Sequence, residues 1–201
     1  MGALTVAVVM TPSPPSSCCS SAKRALNRLA GSVDTVVLVP HERTHGRTDD
    51  HTRVDGEVWA VPEAPLGVVK LLAGIADYRG VCGVDFLDVR QLLHNRGLAT
   101  VGTGTAYGEA RFVEATRAAL ASRTFDAVLL EGAAALIVTV TSSQDASIGQ
   151  AFQCVELALD RSYTDPQVVW AWNVAETMGD LVDVTVLAAG GAPKLPKMYD
   201  G

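Results

Sequence analysis

Hydrophobic positions along this chain follow two patterns: short β-branched runs, and longer segments whose apolar residues lie three and four positions apart. The runs are typical of buried strands, and the longer segments are typical of helices packed on a sheet. Strands are predicted at residues 3–10, 34–39, 98–103, 134–141, 167–173 and 182–188, and helices at 20–31, 65–79, 85–96, 109–121 and 147–161. This order predicts an α/β fold: a strand–helix–strand unit, a central helix and a four-stranded mixed sheet covered by helices.

Three of these elements carry further information. Two apolar strands joined by the helix at 20–31 indicate a parallel pair. The helix at 65–79 is apolar nearly all round, so we expect it to be buried between layers. Alternation in the strand at 167–173 places Trp170 and Trp172 on one side, where packing against the sheet is a better interpretation than a binding platform.

The segment from residue 41 to residue 58 is polar and interrupts this pattern. Its three histidines, His41, His45 and His51, together with Asp49 and Asp50, are of metal-binding type. A metal site is one interpretation, but Gly46 and the polar run argue against a helix that would bring the histidines onto one face. We therefore expect a solvated, mobile loop and no metal ligands.

Composition narrows the classes of partner. The net charge is −6 with a pI of about 5.1 and no basic cluster, which argues against nucleic acid or an acidic membrane as the primary partner. No apolar run approaches the roughly 18 residues of a membrane span, and the N-terminus lacks the pattern of a signal peptide. The four cysteines have no metal-ligand spacing, and adjacent Cys18 and Cys19 are a poor disulfide framework. A reducing, cytoplasmic location is expected.

Two carboxylates, Asp85 and Asp88, open the helix predicted at 85–96. Asp85 is suited to cap this helix, and the helix dipole favours a negative charge at Asp88 in the first turn. Ordinary capping is therefore one interpretation. The other is a pair of acids presented on a loop, able to orient a water molecule or bind a cation.

Glycines at the end of the next strand need a separate explanation. Gly102-Thr103-Gly104-Thr105 could be mistaken for a phosphate-binding loop. Such a loop would need glycines that open a helix beside a lysine or an array of N–H groups, and no lysine follows. We do not expect these glycines to bind phosphate.

Together, residues 80–111 resemble the family of the bacterial division protein FtsZ, a relative of tubulin. That family carries a loop of the form Asn-x-Asp-x-x-Asp ahead of a helix, followed by a strand ending in Gly-Thr-Gly-x-Ala-x-Gly-Glu-x-Arg. Here the loop reads Gly-Val-Asp-Phe-Leu-Asp from Gly83, so both aspartates match and the asparagine does not. The strand end reads Gly-Thr-Gly-Thr-Ala-Tyr-Gly-Glu-Ala-Arg from Gly102 to Arg111, and the two motifs occur in order at the right separation.

The resemblance implies a division of the chain. Its parts would be a remnant of a Rossmann-like nucleotide-binding domain (1–60), a central helix (61–80), an FtsZ-like C-terminal domain (81–191) and a tail (192–201). In the family, glycine-rich phosphate loops precede the strand that here begins near Leu4, and His41, Val61 and Pro65 replace residues that contact the base. We therefore expect the isolated chain to bind no cofactor, and to meet GTP and Mg²⁺ only through a partner subunit.

In the family, the aspartate loop of one subunit completes the GTP hydrolysis site of the next. The resemblance thus implies a catalytic role in trans for Asp85 and Asp88, and an interface loop formed by Gly80, Gly83, Asp85, Phe86 and Asp88. Our first hypothesis is an assembly or regulatory partner without its own GTP site, which caps a filament of FtsZ-like subunits or associates with itself. One alternative is a fragment or split half of a GTPase that is active only with a nucleotide-binding subunit. Another is an unrelated small α/β binding domain.

Overall fold

The computed structural model describes residues 3–11, 19–40, 52–54, 57–59, 68, 71–72, 84–122 and 125–190. The strands are β1 (Val6–Thr11), β2 (Thr35–Pro40), β3 (Thr52–Val54), β4 (Glu57–Trp59), β5 (Gly97–Tyr107), β6 (Ala135–Ser142), β7 (Gln167–Val174) and β8 (Leu181–Ala189). The helices are α1 (Cys19–Ala30), α2 (Phe86–Leu93), α3 (Arg111–Leu120), α4 (Ala127–Glu131) and α5 (Ile148–Leu159), with a turn of 3-10 helix at Glu176–Met178.

Six of the strands form one mixed sheet in the order β1-β2-β5-β8-β6-β7. The neighbours β1 and β2, β2 and β5, and β6 and β7 are parallel, whereas β8 runs antiparallel to both β5 and β6. The predicted α/β class, the parallel first pair and the four later strands are confirmed. The first unit does not form a separate sheet, because Thr35 to Leu38 pair in register with Gly97 to Thr100.

Alternating side chains divide the core between the two faces of this sheet. One face is covered by α2 together with the helical residues Val68 and Leu71, and its strand residues include Val37, Val101, Ile137 and Leu187. On the other face, α1 and α4 cover β2 and the start of β5 through Leu26, Val36, Leu38, Leu98 and Leu129. Helices α3 and α5 cover the rest of that face, around Phe112, Leu136, Val138, Cys154 and Val184. Helices on both faces make the sheet the middle of three layers.

The tryptophans of β7 pack on the sheet as predicted. Trp172 is 5% exposed, and its indole N–H donates to the hydroxyl of Ser142 at 2.9 Å. Trp170 meets the ring of Phe152 edge-on, with centroids 5.6 Å apart. Val169, the residue before Trp170, lies on the opposite face. These contacts make both rings parts of the packing, since each is already covered or paired.

Two short elements differ from the sequence prediction. Residues 52–54 and 57–59, all but the last of which lie in the stretch predicted as a loop, pair as an antiparallel two-stranded sheet. The sequence between them is Asp-Gly, a typical two-residue hairpin signal that the polar composition obscured. The five-residue helix α4 was not predicted, because a single turn carries too little periodicity to detect.

Several expectations fall on residues outside the described ranges. These include the metal-type residues His41, His45, Asp49, Asp50 and His51, and most of the central helix, of which Val68, Leu71 and Leu72 are helical. Among the residues that the structure does describe, no cluster of three or more His, Cys, Asp or Glu side chains could hold a metal ion. Within the same residues, no helix is both long enough and apolar enough to cross a membrane.

Candidate functional site

The acidic turn (Asp85–Asp88) begins α2. Asp85 is the N-cap residue, with φ −73° and ψ 140°, and its carboxylate accepts a hydrogen bond from the Leu87 amide at 3.2 Å. Its carbonyl accepts from the Asp88 and Val89 amides at 3.0 and 3.3 Å. Asp88 then lies in the first turn, where the positive end of the helix dipole favours its charge. The interpretation of Asp85 as a helix cap is therefore correct.

Capping does not bury these residues. All four side chains of the acidic turn are exposed, with Phe86 at 47% and Leu87 at 45% of their full exposure. The same helix is held in the core by Val89, Leu92 and Leu93. Two large apolar side chains and two carboxylates thus share a solvent-facing turn on a firmly packed helix, an arrangement that suits contact with another molecule.

The predicted interface residues are only partly placed. Asp85, Phe86 and Asp88 lie together in the acidic turn, whereas Gly80 and Gly83 lie outside the described residues. Their contribution to an interface loop, and the catalytic role of the two aspartates, stay predictions.

At its other end, α2 is tied to the first strand pair through Asp34, which sequence reasoning missed. The Asp34 carboxylate accepts from the Thr5 amide and the Thr5 hydroxyl, both at 2.8 Å, and from His94 Nδ1 at 2.5 Å. The bonds from Thr5, assisted by His94, lower the pKa of Asp34 from 3.8 to about 2. Residues 60 positions apart carry no local sequence signal of such a contact, so only the fold could reveal it.

The glycines of the second motif are explained by packing. A Cβ atom on Gly102 would lie 2.1 Å from the carbonyl oxygen of Ala119, and one on Gly104 would lie 2.2 Å from that of Ala115. Both residues are therefore glycine because α3 crosses β5 at backbone contact distance. The expectation that they do not bind phosphate stays a prediction.

Arg111, the last residue of that motif, joins two loops at the start of α3. Its guanidinium is largely buried and donates to Asp145 at 2.7 Å and to Asp180 at 3.1 Å. The pKa of Asp145 is lowered, first by the Ser143 hydroxyl and then by Arg111. The arginine thus fixes the turn after β6 and the turn before β8 to the same helix end, which is a structural role.

The layered mixed sheet and the exposed acidic turn define a class of protein: three-layered α/β proteins that present a capped helix end to solvent. Comparisons with known proteins narrow this class. The family model described as "FtsZ family, C-terminal domain" matches residues 97–192. The cell division protein FtsZ of Pseudomonas putida is 31% identical over 98% of this chain, and FtsZ of Azotobacter vinelandii is 30% identical over 94%.

Solved structures agree. The FtsZ dimer of M. jannaschii aligns with all of this chain at a TM-score of 0.77 and 28% identity. The protofilament of CetZ2 from Haloferax volcanii has a TM-score of 0.68 over 97% of this chain, but at 18% identity it supports the fold alone. The chain is thus similar in sequence and in fold to the FtsZ/tubulin-like family, as the sequence motifs implied, and these matches argue against the alternative of an unrelated α/β domain.

Coverage of the relatives is partial. The chain spans 50% of the Pseudomonas putida protein and 58% of the M. jannaschii chain. The activity and partners of those longer proteins therefore reach this chain only as proposals.

Proposed function

We propose that this chain is an assembly partner of FtsZ-like subunits and that the acidic turn is its contact surface. The observation that carries the proposal is the joint exposure of Asp85, Phe86, Leu87 and Asp88 at the end of a helix whose other side is buried. A turn used only for capping would need neither Phe86 nor Leu87 in solvent.

Physical reasoning supports a contact of mixed character. Each apolar side chain of the turn is about half exposed, so its burial by a partner contributes about 1 kcal/mol. The two carboxylates add specificity for a partner face that carries cationic groups or a metal-bound nucleotide. The solved relatives include an FtsZ dimer and a CetZ2 protofilament, which supports contact between subunits as a use of this fold.

Within this proposal, capping of a filament end is the main role, and stimulation of GTP hydrolysis is secondary. Hydrolysis of a bound nucleotide needs an oriented water molecule, and a carboxylate in hydrogen-bond reach contributes roughly 10²–10⁴ in rate. Asp85 is already engaged by the Leu87 amide, and Gly83 stands where the family has an asparagine. Both features weaken the catalytic role and leave the binding role intact.

The test adds the purified chain to FtsZ from the same organism with GTP, and measures filament length by electron microscopy and GTP turnover. The variants are Asp85→Asn, which keeps a capping side chain and removes its charge, Asp88→Asn, and Phe86→Ala. Tyr163→Ala is the matched control, since Tyr163 is an aromatic residue 83% exposed on the loop after α5.

Capping predicts shorter filaments with wild type and with Tyr163→Ala, and longer ones with Phe86→Ala. If the aspartate variants shorten filaments as well as wild type and turnover is unchanged, capping stands and the acids have no catalytic part. If wild type changes neither filament length nor turnover at stoichiometric amounts, the proposal fails.

A second candidate is one half of a split GTPase, for which the half-length match to the relatives is the motivating observation. We propose that the chain alone binds no guanine nucleotide and that turnover arises only on mixing with a nucleotide-binding subunit. Calorimetry with GTP and Mg²⁺ on the isolated chain tests the first point, and micromolar binding would contradict it. Turnover that appears on mixing and is lost in Asp88→Asn would favour the split enzyme over the cap.

A further inference from the structure

We propose that the Asp34 carboxylate is a latch that fixes the direction of α2, and with it the acidic turn, relative to the strand pair β1–β2. The inference concerns the positioning of the proposed contact surface and so rests on the proposed function, but the latch itself is a property of the fold that can be measured separately.

Asp34 joins three segments of the chain. Its Oδ2 atom accepts both bonds from Thr5, just before β1, and its Oδ1 atom accepts from His94, the C-cap residue of α2. Its carbonyl accepts from the Arg96 and Gly97 amides at 3.0 and 3.2 Å, at the start of β5. One residue that is 8% exposed therefore holds β1, β2 and the turn from α2 into β5.

The last carbonyl groups of α2 have no hydrogen-bond donor within the helix, so they depend on donors from outside it. The Thr35 hydroxyl donates to the Leu93 carbonyl at 2.5 Å, and Arg96 Nε donates to the Leu92 carbonyl at 2.8 Å. The chain then turns through Asn95 and Gly97, both at positive φ. The helix end is thus fixed by side chains of β2 and of its own turn.

Both arms of the latch end in exposed residues, Thr5 and His94, but the two arms differ in the backbone bonds around them. The Thr5 arm adjoins the start of the sheet, where the Thr5 carbonyl also accepts from the Asp34 and Thr35 amides. The His94 arm lies at the surface, since the His94 side chain is 57% exposed. The His94 contact is therefore the arm that can open while the sheet stays paired.

Loss of the His94 contact would let α2 tilt at its C-terminal end, and the helix would act as a lever that moves the acidic turn at its other end. Eight helical residues span about 12 Å, so a tilt of about 5° at the C-terminal end of α2 displaces Asp85 by about 1 Å. A displacement of that size is enough to degrade a contact that depends on placed carboxylates. His94 and Asp34 are positioning residues in this scheme, and neither touches the partner.

The test measures amide hydrogen exchange of the full chain by NMR for wild type and three variants. His94→Ala removes the surface arm, Thr5→Val removes the side-chain bond of the other arm, and His94→Asn places an amide donor where Nδ1 was. We expect about tenfold faster exchange in α2 for His94→Ala, with β1 and β2 unchanged. His94→Asn restores slow exchange in α2, and Thr5→Val accelerates exchange in β1 alone.

Exchange in α2 that is unchanged by His94→Ala, or that rises equally in all strands, overturns the latch. The filament assay is then run with the same variants, and His94→Ala is expected to weaken capping while Thr5→Val does not. If wild type has no effect on filaments, the proposed function fails while the exchange data still decide the latch. If wild type caps and His94→Ala caps equally well despite a loosened α2, the lever is refuted.

Discussion

Close packing of α3 on β5 gives the sharpest stability prediction, at Gly104. An added Cβ atom would lie 2.2 Å from the Ala115 carbonyl oxygen, 2.3 Å from the Ala119 amide nitrogen and 2.8 Å from the Ala118 Cβ atom. The first distance is 1.2 Å short of ordinary van der Waals contact at 3.4 Å. Two of the three atoms belong to the helix backbone, so no side-chain rotation relieves the overlap and α3 must move away from the sheet.

Overpacking of a tight core costs about 1–3 kcal/mol and occasionally more, and this site lies at the upper end because the obstacle is backbone. For a chain of this length, about 3 kcal/mol lowers the unfolding temperature by roughly 6–12 °C. Gly104→Ala is therefore expected to show a drop of that size in thermal unfolding followed by circular dichroism.

Gly149→Ala is the matched control. Gly149 lies in the first turn of α5, and an added Cβ atom would meet only the Ser147 hydroxyl at 3.9 Å. The same substitution there should raise stability by about 0.4–1 kcal/mol, because alanine restricts the unfolded chain more than glycine does. If Gly104→Ala unfolds within 2–3 °C of wild type, roughly the effect of 1 kcal/mol, the packing explanation of the glycine motif is refuted.

Three further predictions concern charge and association. Asp34 has a folded-state pKa of about 2 against an ordinary 3.8, so its hydrogen bonds stabilise the fold fully above about pH 4 and are lost as the pH falls toward 2. The urea midpoints of wild type and Asp34→Asn should therefore converge as the pH falls through that window, and a constant difference between them would contradict the assignment. Arg111→Ala should lower the urea midpoint more than Asp145→Asn or Asp180→Asn, because each single aspartate change leaves Arg111 a second carboxylate. Equal effects of all three substitutions would argue against a guanidinium shared by both carboxylates. The outer edge of β1 pairs with no strand in the described residues, so the isolated chain should self-associate at tens of micromolar in sedimentation, and Val8→Lys should reduce this self-association. A clean monomer that is insensitive to that substitution would count against an open edge.

Local sequence signals predicted most of the fold. An observed element corresponds to each of the apolar runs at 34–39 and 134–141 and to the helical spacing at 109–121. These elements were predictable because hydrophobic periodicity and the residues that end strands and helices act over a few positions. The Asp85 cap was predictable for the same reason: a capping side chain and the amide it serves are neighbours.

Other features could not be read from local pattern. The pairing of β2 with β5 joins Val36 to Leu98 across 62 positions. The hydrophobic pattern of each strand is the same whether or not the other strand pairs with it. The contact of His94 with Asp34 likewise depends on where two elements meet in the finished fold. The glycines at 102 and 104 were visible, but only the proximity of α3 distinguishes a packing glycine from a phosphate-binding one.

The pairing of β2 with β5 has a consequence for how the chain folds. Fifty-six residues separate Pro40 from Gly97, whereas consecutive strands from β5 to β8 are joined by 27, 24 and 6 residues. Closing a long connection is slow, yet doubling its length adds only about 0.6 kcal/mol to the entropic cost. We therefore expect the β5–β8 part to form first and the β1–β2 pair to dock afterwards. Lengthening the polar segment after β2 should slow that docking step more than it destabilises the finished sheet, so this junction tolerates evolutionary change in length.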